Sequence, residues 1–448
     1  MNAFTFFPEV AEPGRYWRRC LCCLLIAFAT AQHAALGAAP PSEPAASSYR
    51  LIQLDTDRNA SAAINARGQV AFNVTREGSS RAMFYDGRRF RDFGTLGGSS
   101  ATIAGLNDRG QIAFNVIRNG TPRAMFHDGH RLHELGTLGG PGATVSDLNE
   151  HGQVAGTSSI SADGAILHPY RWSRATGMID LGAAGLGDPV VHGINDRGHV
   201  YGRATFPGGE WPDLHGFFWS PRTGLRDIGA LGDFSVPTAM NDDGVIVGYG
   251  GRGPGNLLAF RWTSATGIGD MQTLPDEFTW ATHINQAGQV VGATPFVAGA
   301  RPHPFLWTPG QGLLDLGVGL AERGAGTEIN EHGVVIGYLF RSFILLHGFI
   351  WTRETGLIEI GAGDTMLRTS AYDVNNSGQV VGEIGDRPFI WTRNQGFIDL
   401  NTVTYNAPPD LVLDSAFAIS ENGAILARAN TGLYLLVPRQ VRFRPHAR

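Results

Sequence analysis

Lysine is absent from the 448-residue sequence, so all 35 Lys+Arg positions are arginine. That excludes Schiff-base chemistry, a lysine general base and a lysine-bearing phosphate loop. Cysteine is confined to Cys20, Cys22 and Cys23. A chain processed beyond them has no disulfide, no thiolate nucleophile and no thiolate metal site. Charge is sparse at 17%, and a net charge of −5 lacks the basic excess of a nucleic-acid binder. No HExxH, no GxSxG and no GxGxxG ahead of a helix occurs.

What is abundant is glycine, 61 residues, with 43% hydrophobic residues in short runs between turn signals. That composition favours short strands over helices. The N-terminus reads as an address. Arg15, Arg18 and Arg19 precede the apolar stretch from Leu21 to Ala31, and small residues follow at 35–39. Residues 1–38 are therefore expected to be a signal peptide, with a retained membrane anchor as the alternative. Residues 39–48, rich in Pro, Ala and Ser, read as a linker, and 439–448 as a basic tail.

Between them, over 49–438, the chain repeats. Its anchor is an apolar residue, then Asn-x-x-Gly, at Asn65, Asn107, Asn149, Asn195, Asn241, Asn285, Asn330 and Asn375. A ninth, degraded copy is Ser420-Glu421-Asn422-Gly423. The spacing is 42 to 46 residues. Asn can bond backbone two residues on, and Gly supplies a positive φ, so each anchor predicts a hairpin. An aromatic strand follows, ending on Trp172, Trp219, Trp262, Trp307, Trp351 or Trp391, and on Phe84 or Phe126 in the first two repeats. A short turn leads to an apolar–Asp–apolar–Gly segment. Each unit thus offers four strands, A to D, which is the size of a propeller blade.

The chain opens on Tyr49 to Asp55, which reads as a D strand without its blade, and closes on a unit with only A, B and C. Pairing the two removes two exposed edges. The expected fold is all-β: a single closed β-propeller of about nine four-stranded blades, the N-terminal strand completing the last. Eight blades is the alternative count.

At His215 to Trp219, His347 to Trp351, Gly94-Thr95-Leu96-Gly97-Gly98 and Gly136-Thr137-Leu138-Gly139-Gly140 the chain resembles the HAF-repeat family of extracellular bacterial proteins. The resemblance spans roughly residues 49–437. It implies an exported protein, no known activity, and no catalytic or binding residue to carry over. The first two repeats depart by using Phe for Trp, and Phe72-Asn73 and Phe114-Asn115 for Val-Gly.

No catalytic, cofactor or metal residue is assigned, and no cofactor is expected. The recurring His168, His215, His303 and His347, and Asp180, Asp227, Asp315 and Asp399, sit at equivalent positions in separate blades. They read as structural: His bonding a neighbouring turn or strand, Asp capping turns or pairing with Arg at blade junctions. The Asn-Asp-x-Gly turns lack the alternating carboxylates of a calcium loop. Length variation concentrates in the B–C and D–A connections, which leave an antiparallel blade on one face. On that face Phe206, Glu210, Trp211, Asp213, Phe234, Asp276, Glu277 and Trp280 stand outside the repeat and form the candidate binding face. The expected function is an exported, non-catalytic binding propeller, secreted or periplasmic. Its partner is an extracellular protein or a carbohydrate, with no nucleic acid, and membrane contact only through a retained leader. A secreted carbohydrate-active hydrolase or lyase with carboxylates or His at the channel mouth is the alternative; a structural spacer is a third.

Overall fold

The computed structural model describes residues 48–439, apart from 183–185, 207–212, 252–256, 272–277, 298, 343–344 and 362–366. The leader, most of the linker and the tail beyond Arg439 lie outside the described residues. The strands form eight four-stranded sheets and one five-stranded sheet, which are nine propeller blades. Blade 1 is typical, with strands Ser61–Ile64, Val70–Arg76, Ser79–Tyr85 and Phe90–Gly94 in that spatial order. Strand A is innermost, since A strands of neighbouring blades touch around the ring.

Blade 9 closes the ring. Its A, B and C strands are Leu413–Ile419, Ile425–Ala429 and Gly432–Pro438, and Tyr49–Asp55 pairs antiparallel with the last of these. A short strand, Thr404–Tyr405, adds in parallel to the outer side of Tyr49–Asp55. This fifth strand has no counterpart in the repeat. It leaves the closing strand bonded on both sides, with Tyr49 N donating to Val403 O at 2.8 Å.

The hydrophobic core is divided by blade junction. Nine buried clusters occur, each shared by two neighbouring blades. The closing junction is no poorer than the rest, joining Leu54, Leu426 and Leu435 to Ile64, Val70 and Phe72. Most repeat tryptophans are buried at these junctions, and Arg171 lies 5.1 Å over the Trp219 ring of the next blade.

The B-strand glycine has a steric cause. A Cβ on Gly292 would stand 2.0 Å from Trp280 O and within about 3 Å of the Phe305 ring. Gly292 and Phe305 are a cross-strand pair. In blades 1 and 2 the large ring sits on the B strand instead, in the pairs Phe72–Met83 and Phe114–Met125. The same space is filled from the other strand, which explains how these two repeats depart without losing the fold.

Candidate functional site

The two rims of the propeller are built differently. On the rim carrying the A–B and C–D turns, every anchor makes the same turn. In blade 1, Gly68 N donates to Asn65 O at 2.9 Å and Asn65 N to Gln69 O at 3.0 Å, with Gly68 at φ 76°. The Asn65 carboxamide oxygen accepts from Arg67 N at 3.1 Å and Gln69 N at 2.9 Å.

Its amide does something the sequence reading missed. Asn65 Nδ2 donates to Asn107 O of the next blade at 2.8 Å. The same bond recurs from each anchor to the next, as far as Asn375 Nδ2 to Ser420 O at 3.0 Å. A second girdle runs beside it. The residue after each anchor donates its backbone N–H to the side chain at the same place in the next blade, from Ala66 N to Asp108 Oδ1 at 2.7 Å round to Asn376 N to Glu421 Oε2 at 3.0 Å. The signal was present: that position holds Asp, Glu, Gln or Asn in every repeat except at Ala66.

The recurrent His and Asp also pair, inside a blade. His168 Nδ1 meets Asp180 at 2.8 Å, His215 meets Asp227 at 2.9 Å and His303 meets Asp315 at 3.0 Å. The other carboxylate oxygen of each Asp, Oδ1, accepts from Gly182, Gly229 or Gly317 N–H, so these residues also cap the turn. The partner is therefore a within-blade His, not an Arg across a junction. Blade 7 replaces the pair with His347–Glu359 at 2.7 Å and adds Arg341 on Glu359, which Arg341 and His347 hold below the usual carboxylate range against the opposing effect of burial.

The opposite, variable rim carries the B–C and D–A connections. Of the sequence-derived face, Glu210, Trp211, Asp276 and Glu277 lie outside the described residues, and so does the Asp213 side chain. The other three stand at strand ends and are half-buried. Phe206 lies 5.6 Å from the His215 ring, Phe234 6.5 Å from Tyr249 and Trp280 5.6 Å from Phe278.

A charged cluster that the sequence reading did not single out gathers on this rim at blades 8 and 9. Tyr372 Oη donates to Glu383 Oε1 at 2.7 Å. Burial pushes both groups up, Glu383 against the pull of Tyr372, Ser415 and Arg368. Asp414 is raised by burial too, although Arg58 approaches it at 2.9 Å. Asp386 adds repulsion to both carboxylates, and Arg428 Nε donates to Arg58 O at 3.0 Å. Glu383 occupies the position after the B-strand glycine, where other blades carry Thr157, Arg203, Tyr249, Ala293 or Tyr338. That variability was its only trace in the sequence.

Beside the cluster, across the junction of blades 9 and 1, an open concavity of about 400 Å³ is lined by Asp55, Arg76, Glu77, Ser79, Arg81 and Asp92. Arg76 pairs with Asp55, and Arg81 with Asp92 at 2.9 Å. A second concavity of about 480 Å³ lies on the uniform rim between blades 7 and 8, beside Trp351, Arg353, Trp391 and Arg393. Among the described residues no trio of His, Cys, Asp or Glu is placed to hold a metal ion, and no helix is long and apolar enough to cross a membrane.

No family model matches the chain, and no curated protein matches it in sequence. Solved propeller structures resemble it in fold. TolB from Acinetobacter baumannii is similar over 55% of this chain and 62% of its own, at 15% identity and TM-score 0.34. The chain thus spans less than two thirds of that protein. The β-propeller domain of the Trilobed protease from Pyrococcus furiosus is similar over 71% and 97%, at 10% identity and TM-score 0.39. Dipeptidyl peptidase 4 from Porphyromonas gingivalis is similar over 84% and 64%, at 8% identity and TM-score 0.46. At such identities the likeness concerns the propeller fold alone.

Proposed function

We propose that the protein is an exported binding propeller, of the HAF-repeat kind, whose ligand sits on the variable rim where blades 8, 9 and 1 meet. One observation carries the reading. On the uniform rim the recurring anchor side chains and those that follow them are committed to girdle and turn bonds, whereas non-recurring acids, arginines and a tyrosine converge on the other rim. Mixed, paired charges beside an open concavity suit a neutral, hydroxyl-rich ligand, which supplies donors and acceptors without displacing either ion pair. A carbohydrate fits that description. The test is a glycan array probed with the purified protein, together with Arg81→Ala and Tyr372→Phe. Retention of a glycan class by the parent, with at least about tenfold weaker binding by a variant of unchanged melting temperature, supports the reading. Retention that ignores both variants places the ligand elsewhere.

A second reading has its own support. Two carboxyls raised by burial, Glu383 and Asp414, lie near arginines on one rim, and shifted acids are what acid–base catalysis uses. A hydrolase or lyase would release shortened products from the retained glycan, and Glu383→Gln would abolish release while leaving retention intact.

A further inference from the structure

We propose that the uniform rim is a docking surface for an anionic lipid bilayer, approached with blades 1–4 and the chain ends against the membrane. The charge on this rim is split. In blades 1–4 its turns hold eight arginines against five acids; in blades 5–9 they hold only Arg353 and Arg393 against five acids. The five acids of the basic half all accept backbone N–H groups. Asp86 Oδ1 accepts from Arg88 and Arg89 N–H at 2.7 Å, Asp128 Oδ1 from Arg131 N–H at 2.7 Å, and Asp108, Glu150 and Asp196 serve the girdle. The Arg67, Arg89, Arg109, Arg131 and Arg222 side chains are exposed. Arg197 meets Asp243 at 2.7 Å in a pair exposed on both sides, which holds its charge weakly, and Arg174 reaches the buried Asp128 carboxylate at 3.2 Å.

Three further observations favour a bilayer over a soluble polyanion. Phe90 and Leu132 begin the D strands of blades 1 and 2 on this rim, 48% and 40% exposed, next to Arg89 and Arg131. An apolar side chain beside a cation is the pattern that enters a headgroup layer. Tyr405, 48% exposed, repeats it, with the Arg439 guanidinium 4.7 Å over its ring. Finally, both chain ends leave the propeller here, Arg439 N donating to Ser48 O at 2.8 Å. They leave from blade 9, next to the basic half. The variable rim then faces away from the membrane, free for its ligand.

The full chain is sedimented with vesicles of neutral lipid, and with vesicles holding about a third anionic lipid. Stronger partition to the anionic vesicles, falling as salt rises, is expected. A triple variant, Arg89→Glu, Arg109→Glu and Arg131→Glu, keeps its melting temperature and loses at least about tenfold in that partition. Phe90→Ser with Leu132→Ser weakens it at high salt as well as low, and Arg353→Glu with Arg393→Glu leaves it nearly unchanged. Equal partition to both vesicles, a triple variant that binds like the parent, or capture by soluble dextran sulfate with no vesicle partition overturns the proposal.

Discussion

Eight of the nine blade junctions are stitched alike on the uniform rim, and the ninth is not. At the eight, an anchor amide reaches the next anchor carbonyl and a backbone N–H reaches the next side chain. Between blades 9 and 1 both partners are missing from the sequence: Ser420 replaces the anchor Asn, and Ala66 offers no acceptor. The ninth junction relies on other means. The closing strand Tyr49–Asp55 completes blade 9, the fifth strand covers it, Arg76 of blade 1 pairs with Asp55, and Arg58 pairs with Asp414 within the closing blade. The two degenerate positions therefore fall together, where the ring is held by strand exchange and not by its girdles. The ring resembles a repeat array whose terminal contact is specialised, as in open solenoids, except that here the two specialised ends meet.

The comparison breaks most visibly if the closing strand is removed. A chain lacking residues 1–56 loses the antiparallel ladder to Gly432–Pro438 and the buried Tyr49 and Leu54 side chains. Burial of such side chains is worth roughly 1.5–3 kcal/mol each, and the ladder adds to it, against a total stability of about 5–15 kcal/mol. Circular dichroism should show no cooperative melt, or one far below the parent. An unchanged melt would mean that blade 9 closes without its fourth strand.

Next in size is the girdle itself. Asn285→Ala strands Gln289 N–H, bonded by Asn285 in the parent at 2.9 Å, and leaves Asn330 O with only its own turn bond from Gly333 N in place of two. Leaving buried groups unsatisfied costs about 2–3 kcal/mol. Ser420→Ala, at the junction without a forward girdle bond, removes bonds within its own turn only, from Ala424 N at 2.8 Å and to Asn422 Oδ1 at 2.6 Å, leaves Ala424 N still bonded to Asn422, and costs about 1 kcal/mol. Urea titration of the two variants measures the difference, and equal losses would erase the distinction between junctions. Smaller still is the repair. Ser420→Asn with Ala66→Asp restores the missing donor and acceptor, and a gain of roughly 0.5–1.5 kcal/mol is expected. A loss would show that the junction geometry, and not the missing side chains, interrupts the girdle.

Much of this architecture was legible in the sequence. Eight evenly spaced Asn-x-x-Gly turns and a ninth, degraded copy at Ser420 fix nine hairpins, and an orphan first strand facing a three-stranded last unit fixes the closure. The assignment of rims followed from strand parity alone. What stayed hidden depends on neighbours distant along the chain. The turn chemistry accounts for Asn65 within its own hairpin, so nothing local announces that its amide serves the carbonyl 42 residues on. The fifth strand, only Thr404–Tyr405, is too short to carry a pattern. Glu383 and Tyr372 look unremarkable one repeat at a time, and matter because burial and register bring them together. The apolar residues of the variable loops drew attention by breaking the repeat, but Phe206, Phe234 and Trp280 continue strands and rest on rings beside them.

The last and smallest effect compares the settled rim with the unsettled one. Asp86, on the uniform rim, is held below its ordinary value by Arg89 and Arg88 backbone N–H groups. Glu383, on the variable rim, is raised above the usual 4.5 by burial. The signs are opposite. A carboxyl with a lowered folded pKa stabilises the fold above its ordinary value and loses that contribution as pH falls. A carboxyl with a raised folded pKa contributes below its ordinary value and loses that contribution as pH rises through the raised one. Glu383→Gln keeps an oxygen to accept from Tyr372 Oη but carries no charge. Its melting temperature should match the parent near pH 4 and exceed it near pH 8, while Asp86→Asn should match the parent at low pH and fall below it at pH 8. A variant at Glu383 that melts below the parent at pH 8 would mean that its ionised form is as well satisfied as the turn carboxylates, and the variable rim would lose its claim to hold groups kept ready for a ligand.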